Sequence, residues 1–218
     1  TEYRTIMSSH LEPIFPALKF GGEKAKTLLI CVSGFPDNET SAWGRTIDSL
    51  KQHFRVFALC LPGYSHRIEY QYQLEKPWGY TIEQLVLGLR RTIKELIASN
   101  GGNFNKYVLM GFDWGSLLCL LYENRYPDEV SKLICLDVGI SEKPTFQDLA
   151  VIIFYQSWFA VSYISSQIFG SYTGEVLLRL FMILPIMTTI GPCPHDKLHI
   201  PRDKLTVRQC YPYYHALK

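Results

Sequence analysis

Four apolar runs punctuate the first 140 residues: "TLLICVSG" (27 to 34), "RVFALCL" (55 to 61), "KYVLMGF" (106 to 112) and "KLICLDVG" (132 to 139). The runs are continuous rather than alternating, as strands of a parallel sheet buried on both faces require. Stretches with helical spacing fill the gaps. The clearest lies between the second and third runs, where Ile82, Leu85, Val86, Leu89, Ile93, Leu96 and Ile97 share one helical face. Thr81 and Gln84 stand at capping-box spacing before it, and "NGG" at 100 to 102 ends it. "TSAWGRTIDSLKQHF" and "WGSLLCLLYENRY" predict the other two helices, the latter stopped by Pro127. Strands alternating with helices give right-handed crossovers and a mostly parallel, doubly wound α/β sheet.

The pattern changes after residue 140. No strand signal recurs, and residues 149 to 174 contain no charged side chain. That length would span a bilayer, but Gln156, Ser157, Ser162, Ser165, Ser166, Gln167, Ser171 and Thr173 make it too polar for a lipid-facing helix. The next apolar stretch, "VLLRLFMILPIM", is short and broken by Arg179 and Pro185. Residues 1 to 140 are therefore expected to form an α/β core. Residues 141 to 218 are expected to form amphipathic helices lying as a lid over an apolar pocket, with peripheral membrane contact through that lid left open.

Composition narrows the choices. Apolar residues make up 47% of the 218, ample for a sizeable core, and charged residues only 19%. A net charge of +2 and the absence of a basic run give no footprint for nucleic acid. Cys31, Cys60, Cys119, Cys135, Cys193 and Cys210 show neither CxxC pairs nor a disulfide framework, and Cys31, Cys60 and Cys135 sit in strand-like runs as small hydrophobes. That usage reads as a reducing, cytoplasmic compartment, with membrane association open. "CPHDKLH" (193 to 199) offers Cys193, His195 and His199 but no second cluster to complete a metal site, so neither a metal nor another cofactor is expected. The N-terminal "TEYRTIMSSHLEPIF" is too polar for a secretory signal and has no initiator Met, so the chain reads as trimmed or partial.

The candidate chemistry sits in "GFDWGS" (111 to 116), wedged between the third apolar run and the helix after it. Ligands of open α/β sheets bind beyond the carboxyl ends of the strands, and Asp113 falls at that edge. Gly111 and Gly115 flank it at two residues on each side, the spacing of the G-x-S-x-G strand–turn–helix with Asp in place of Ser. Such a turn aims the central side chain at the pocket. The positive helix end is expected to keep the carboxylate ionised, ready to attack without a base. The competing reading is an Asp that merely caps the helix beginning at Trp114.

These motifs resemble the α/β-hydrolase superfamily, in particular its epoxide hydrolase and haloalkane dehalogenase branch, where a G-x-D-W-G elbow carries the nucleophilic Asp. The resemblance covers roughly residues 27 to 139. It includes "SGFP" (33 to 36), which is similar to that branch's H-G-x-P loop. It implies an α/β-hydrolase fold with an inserted helical lid. It also implies Asp113 as nucleophile, and an oxyanion hole from the backbone N–H groups of Phe35 and Trp114. Two positions depart from the family pattern: Ser33 stands where His is usual, and Ser116 replaces a second glycine. Trp43 reads as packing.

An epoxide oxygen leaves as an alkoxide and needs a proton donor, whereas a halide does not. "FYQSWF" (154 to 159) resembles the first lid segment of epoxide hydrolases, which makes Tyr155 the leading donor; Tyr211, Tyr213 and Tyr214 are candidates for a second. The function implied is opening of a lipophilic epoxide through an Asp113 ester that water then hydrolyses. A dehalogenase-like hydrolase and a non-catalytic ligand-binding protein on the same scaffold are the alternatives. Hydrolysis in this family uses a His held by a second acid, both following the lid. His10, His53, His66, His195, His199 and His215 do not fall at that place, so the 218-residue chain alone is expected not to turn over.

Overall fold

A computed structural model describes residues 12–21, 25–67, 76–100, 104–137, 145–183 and 205–218. Five strands form one sheet in the order β1-β3-β2-β4-β5: β1 (Ala17–Phe20), β2 (Leu28–Val32), β3 (Arg55–Leu59), β4 (Tyr107–Phe112) and β5 (Val130–Leu136). β2, β3, β4 and β5 run parallel, while β1 pairs antiparallel with β3. The four apolar runs are the parallel strands. β1, "ALKF", is too short and too mixed to stand out by pattern.

Helix α1 (Gly44–Leu50) packs on one face of the sheet, where Trp43 and Ile47 meet Leu29, Cys31, Val56, Ala58 and Met110. The opposite face carries α2 (Ile82–Ser99) and α3 (Trp114–Arg125), whose Leu85, Leu89, Ile93, Leu118 and Tyr122 join Leu28, Ile30, Val32, Phe57 and Leu59. Neighbouring residues of one strand thus feed opposite cores, which is why β2 and β3 read as unbroken apolar runs. The Thr81–Gln84 capping box is formed in both directions. Trp43 is packing, as expected.

β5 departs from the expected pattern. It is an edge strand among the described residues, so Cys135 and Leu136 are exposed rather than buried as the run suggested.

Helices α4 (Phe146–Phe169), α5 (Ser171–Ile183) and α6 (Tyr211–Ala216) follow. α4 starts at a second capping box, Thr145 with Asp148. It packs against α5 where Gly174 lies on Ser162 and Ser166, and a methyl group on Gly174 would collide with the Ser166 side chain. Both serines turn their hydroxyls back to the α4 backbone, Ser162 to Trp158 at 2.9 Å and Ser166 to Tyr163 at 2.6 Å. Phe159, Tyr163, Phe181, Tyr211 and Tyr213 carry these helices onto the α2–α3 core. The cluster Cys193, His195 and His199, together with His10, lies outside the described residues.

Candidate active site

Phe35 and Asp113 follow β2 and β4, the adjacent central strands whose connections leave in opposite directions. That crevice at the carboxyl ends is where an open α/β sheet accepts ligands. Asp113 holds φ 52° and ψ −127°, a left-handed backbone that side chains other than glycine seldom adopt. The glycines make the turn possible. A methyl on Gly111 would strike the Ser116 backbone, and one on Gly115 would strike the Val32 carbonyl. The elbow is therefore pressed against both β2 and its own helix, and the Asp113 side chain stands out at the strand end.

The helix-cap reading fails on geometry. Asp113 precedes α3 but its side chain makes no capping hydrogen bond to the first turn of the kind N-cap residues make. Instead its Oδ2 accepts the Phe35 N–H at 2.7 Å, and the neighbouring Trp114 amide also favours the charged carboxylate. Gly34 lets the loop come this close, because a methyl there would collide with both Asp113 Oδ2 and the Trp114 nitrogen. Of the two amides expected from the sequence as an oxyanion hole, that of Phe35 bonds Asp113 Oδ2, and that of Trp114 lies beside it across the space a Gly34 methyl would fill. The Phe35–Pro36 peptide bond is cis.

The charge state differs from the expectation that the helix end keeps Asp113 ionised. Burial pushes its carboxyl up to about 7, more than the Trp114 and Phe35 amides pull it down. The charges of Asp137 and Asp37 raise it further. Near pH 7 the group is therefore poised between its two forms.

Ser33, in place of the usual His, still ties the loop down. It is buried, its N–H donates to the Leu59 carbonyl at 2.9 Å, and its hydroxyl is shared between the carbonyls of Asn38 (2.9 Å) and Leu59 (3.0 Å). Asn38 Oδ1 accepts the amides of Thr40 and Ser41, both at 2.9 Å. Glu39, only 2% exposed, accepts the Ser65 hydroxyl at 2.8 Å and the Cys60 thiol at 3.3 Å. Nothing in the spacing of Glu39 marked it beforehand. Ser116 likewise has a function beyond filling space: its hydroxyl donates to the Leu136 carbonyl at 2.7 Å and accepts the Leu136 N–H at 3.0 Å.

The aromatic residues sort clearly. The Tyr213 ring packs edge-on to Trp114 (5.1 Å between centroids) and to Phe35 (5.3 Å), and it lies 6.4 Å from the Tyr155 ring. Burial first, and then the charge of Asp113, hold its phenol protonated. Tyr155 is half-buried on α4 beside Phe159. Tyr211 packs on Tyr64 and Tyr80, and Tyr214 stacks with Trp78, Tyr163 and His215. Of the three tyrosines the sequence offered as a second donor, only Tyr213 packs against the residues around Asp113. His215 bonds the Trp78 carbonyl at 2.7 Å. Among the described residues no group of His, Cys, Asp and Glu could hold a metal ion.

The doubly wound sheet with its acidic elbow after β4 defines a class, and residues 27–160 match the model of the alpha/beta hydrolase fold family. The chain belongs to that family, and its matched relatives are epoxide hydrolases. It is 32% identical over 116 residues to mouse Epoxide hydrolase 4 and 33% identical over the same length to the human protein. Each match takes in 53% of this chain and 29% of the relative, so the chain corresponds to under a third of their length. An epoxide hydrolase from Bacillus megaterium, crystallised with an inhibitor, superposes with a TM-score of 0.62 at 20% identity, over 92% of this chain and 68% of that one. At that identity the likeness shows the fold.

Proposed function

We propose that the whole protein opens lipophilic epoxides through a covalent ester on Asp113. The observation that carries this reading is the Phe35 N–H held 2.7 Å from Asp113 Oδ2 beside the Trp114 amide, with the side chain excluded from capping. In the first step Asp113 Oδ1 attacks an epoxide carbon. The C–O bond breaks, and the ring oxygen takes a proton from Tyr155 assisted by Tyr213. In the second, water adds to Asp113 Cγ, and the charge that develops on Oδ2 meets the Phe35 amide that already bonds it and the Trp114 amide beside it. Collapse releases a diol and restores the carboxylate. A dehalogenase would not need a phenol here, so Tyr213 on Phe35 and Trp114, with the Tyr155 ring 6.4 Å from it, supports epoxide chemistry.

The aromatic surroundings of the site, Phe35, Trp114, Phe159 and Tyr213, suit an apolar substrate. Residues 141 to 218 act in this reading as a lid on the core of residues 1 to 140. The outer face of α4, with Phe146, Leu149, Ile153, Val161 and Ile168 exposed, contacts a lipid surface, and the 24-residue helix is long and apolar enough to cross one. The protein works in the cytoplasm or on a membrane facing it.

Mass spectrometry tests the central step. After mixing with excess styrene oxide and rapid acid quenching, the peptide holding Asp113 should gain the mass of one epoxide. An unmodified peptide during demonstrated turnover would point to direct attack by water.

A further inference from the structure

We propose that Glu39 is a positioning residue of the hydrolytic step: its buried carboxylate straps the loop after β2 to the loop after β3 and so holds the Phe35 amide on Asp113. The inference rests on the reading of Asp113 as an alkylated nucleophile. Residues 33 to 39 lead away from β2, and both ends of this segment are tied to the chain leaving β3. At the near end Ser33 bonds the Leu59 carbonyl, through its N–H at 2.9 Å and its hydroxyl at 3.0 Å. At the far end Glu39 accepts the Ser65 hydroxyl on Oε1 at 2.8 Å and the Cys60 thiol on Oε2 at 3.3 Å. Cys60 is fully buried; that burial, and then the charge of Glu39, keep its thiol protonated and able to donate. Between the two ties the Ser33 hydroxyl reaches the Asn38 carbonyl at 2.9 Å, and the Asp37 N–H bonds the Gly34 carbonyl at 2.8 Å. The Phe35 N–H, 2.7 Å from Asp113 Oδ2, lies inside this doubly anchored segment.

A carboxylate only 2% exposed is expensive to bury, and an apolar side chain of the same size would fill the space without that cost. What the carboxylate adds is a fork: two oxygens that take two separate donors from the neighbouring loop. The chemistry says which step gains from it. An oxyanion amide helps most when it is held in place before the charge develops. In the free carboxylate the charge is spread over two oxygens, of which the Phe35 N–H meets one. During hydrolysis water adds to Cγ of the ester, and the carbonyl electron pair moves onto Oδ2, the oxygen that amide faces. Collapse returns the pair and breaks the bond between Cγ and the alkyl oxygen. Of the two protons of the water, one ends on that oxygen as the diol forms, and the other restores the phenol that protonated the epoxide. A loop left free to drift therefore slows hydrolysis more than alkylation.

Glu39→Ala and Glu39→Gln in the whole protein separate the strap from the charge, because Gln keeps an oxygen for the Ser65 hydroxyl and Ala keeps none. Rapid-quench mixing with styrene oxide reads both steps. In Glu39→Ala ester hydrolysis should slow by about tenfold or more and the ester accumulate, while alkylation at pH 9 stays within about threefold of wild type. Glu39→Gln should recover most of the hydrolysis rate. The pH midpoint of alkylation should rise in Glu39→Ala, because the Phe35 amide that favours the Asp113 charge is loosened while Asp137, Asp37, Tyr213 and Tyr64 face it as before. If Glu39 acted through its charge alone, both variants would lower that midpoint. A lowered midpoint would overturn the inference, as would hydrolysis by Glu39→Ala at the wild-type rate or equal slowing of both steps. Should Glu39→Ala fail to fold by circular dichroism, Ser65→Ala removes one of the two ties from the other loop, and wild-type hydrolysis in that variant would overturn the inference as well. If no ester forms in the wild type, the nucleophile reading itself fails and takes this inference with it.

Discussion

Asp113→Asn should make the protein more stable and inactive, with the stability gain depending on pH. The substitution keeps the size of the side chain, and Asn accepts φ 52° as readily as Asp. Its carbonyl oxygen can still take the Phe35 N–H. What it removes is a charge that the site disfavours. The carboxyl is pushed from an ordinary 3.8 up to about 7, chiefly by burial. Each tenfold change in an ionisation constant is worth about 1.4 kcal/mol, so forming the native carboxylate costs roughly 4 kcal/mol relative to the unfolded chain. Below about pH 4 both states hold the proton and the wild type loses nothing. From there to about pH 7 the native state binds more protons than the unfolded one, so wild-type stability falls as pH rises. Above about pH 8 the loss is complete. Urea unfolding of both proteins at pH 4.5, 6, 7 and 8.5 should show the Asn variant gaining steadily, up to roughly 4 kcal/mol at the top. A difference that stays flat across this range would refute the reasoning, because a buried, shifted carboxyl must titrate within it.

The same shift sets the activity profile: alkylation needs the carboxylate, so its rate should rise with pH to a midpoint near 7, and a midpoint near 4 would contradict the role given to burial. Gly34→Ala inserts a methyl between Asp113 Oδ2 and the Trp114 amide, and alkylation should fall by about 10²-fold or more in rapid-quench assays. Tyr155→Phe and Tyr213→Phe should each slow epoxide opening by about 10²-fold while leaving folding nearly unchanged by circular dichroism. Tyr214→Phe, on the Trp78 side, should alter the rate by no more than about twofold, and a larger loss would reassign the second donor.

Much of this was legible in the chain because the signals were local. Continuous apolar runs told of two-faced burial in β2 and β3, and Thr81 with Gln84 gave the start of α2. The elbow was readable because its glycines answer to a steric need that sequence displays directly: no other residue fits beside Ser116 or Val32. What escaped depends on distant partners. β1 has only four residues and owes its existence to pairing with β3. The choice of Tyr213 over Tyr211 and Tyr214 turns on how α6 seats against Phe35 and Trp114, both far away in the chain. The poise of Asp113 departs from the simple helix-end argument, because burial of the carboxyl outweighs the Trp114 and Phe35 amides that favour its charge.

The path of a single oxygen atom tests the ester mechanism most directly. With the whole protein in excess over a styrene oxide substrate in ¹⁸O-water, each site turns over at most once. Water that attacks Asp113 Cγ leaves its oxygen in the carboxylate, and the diol carries away an oxygen that belonged to Asp113. The ester route therefore predicts labelled Asp113 and unlabelled diol. Labelled diol with unlabelled Asp113 would contradict it.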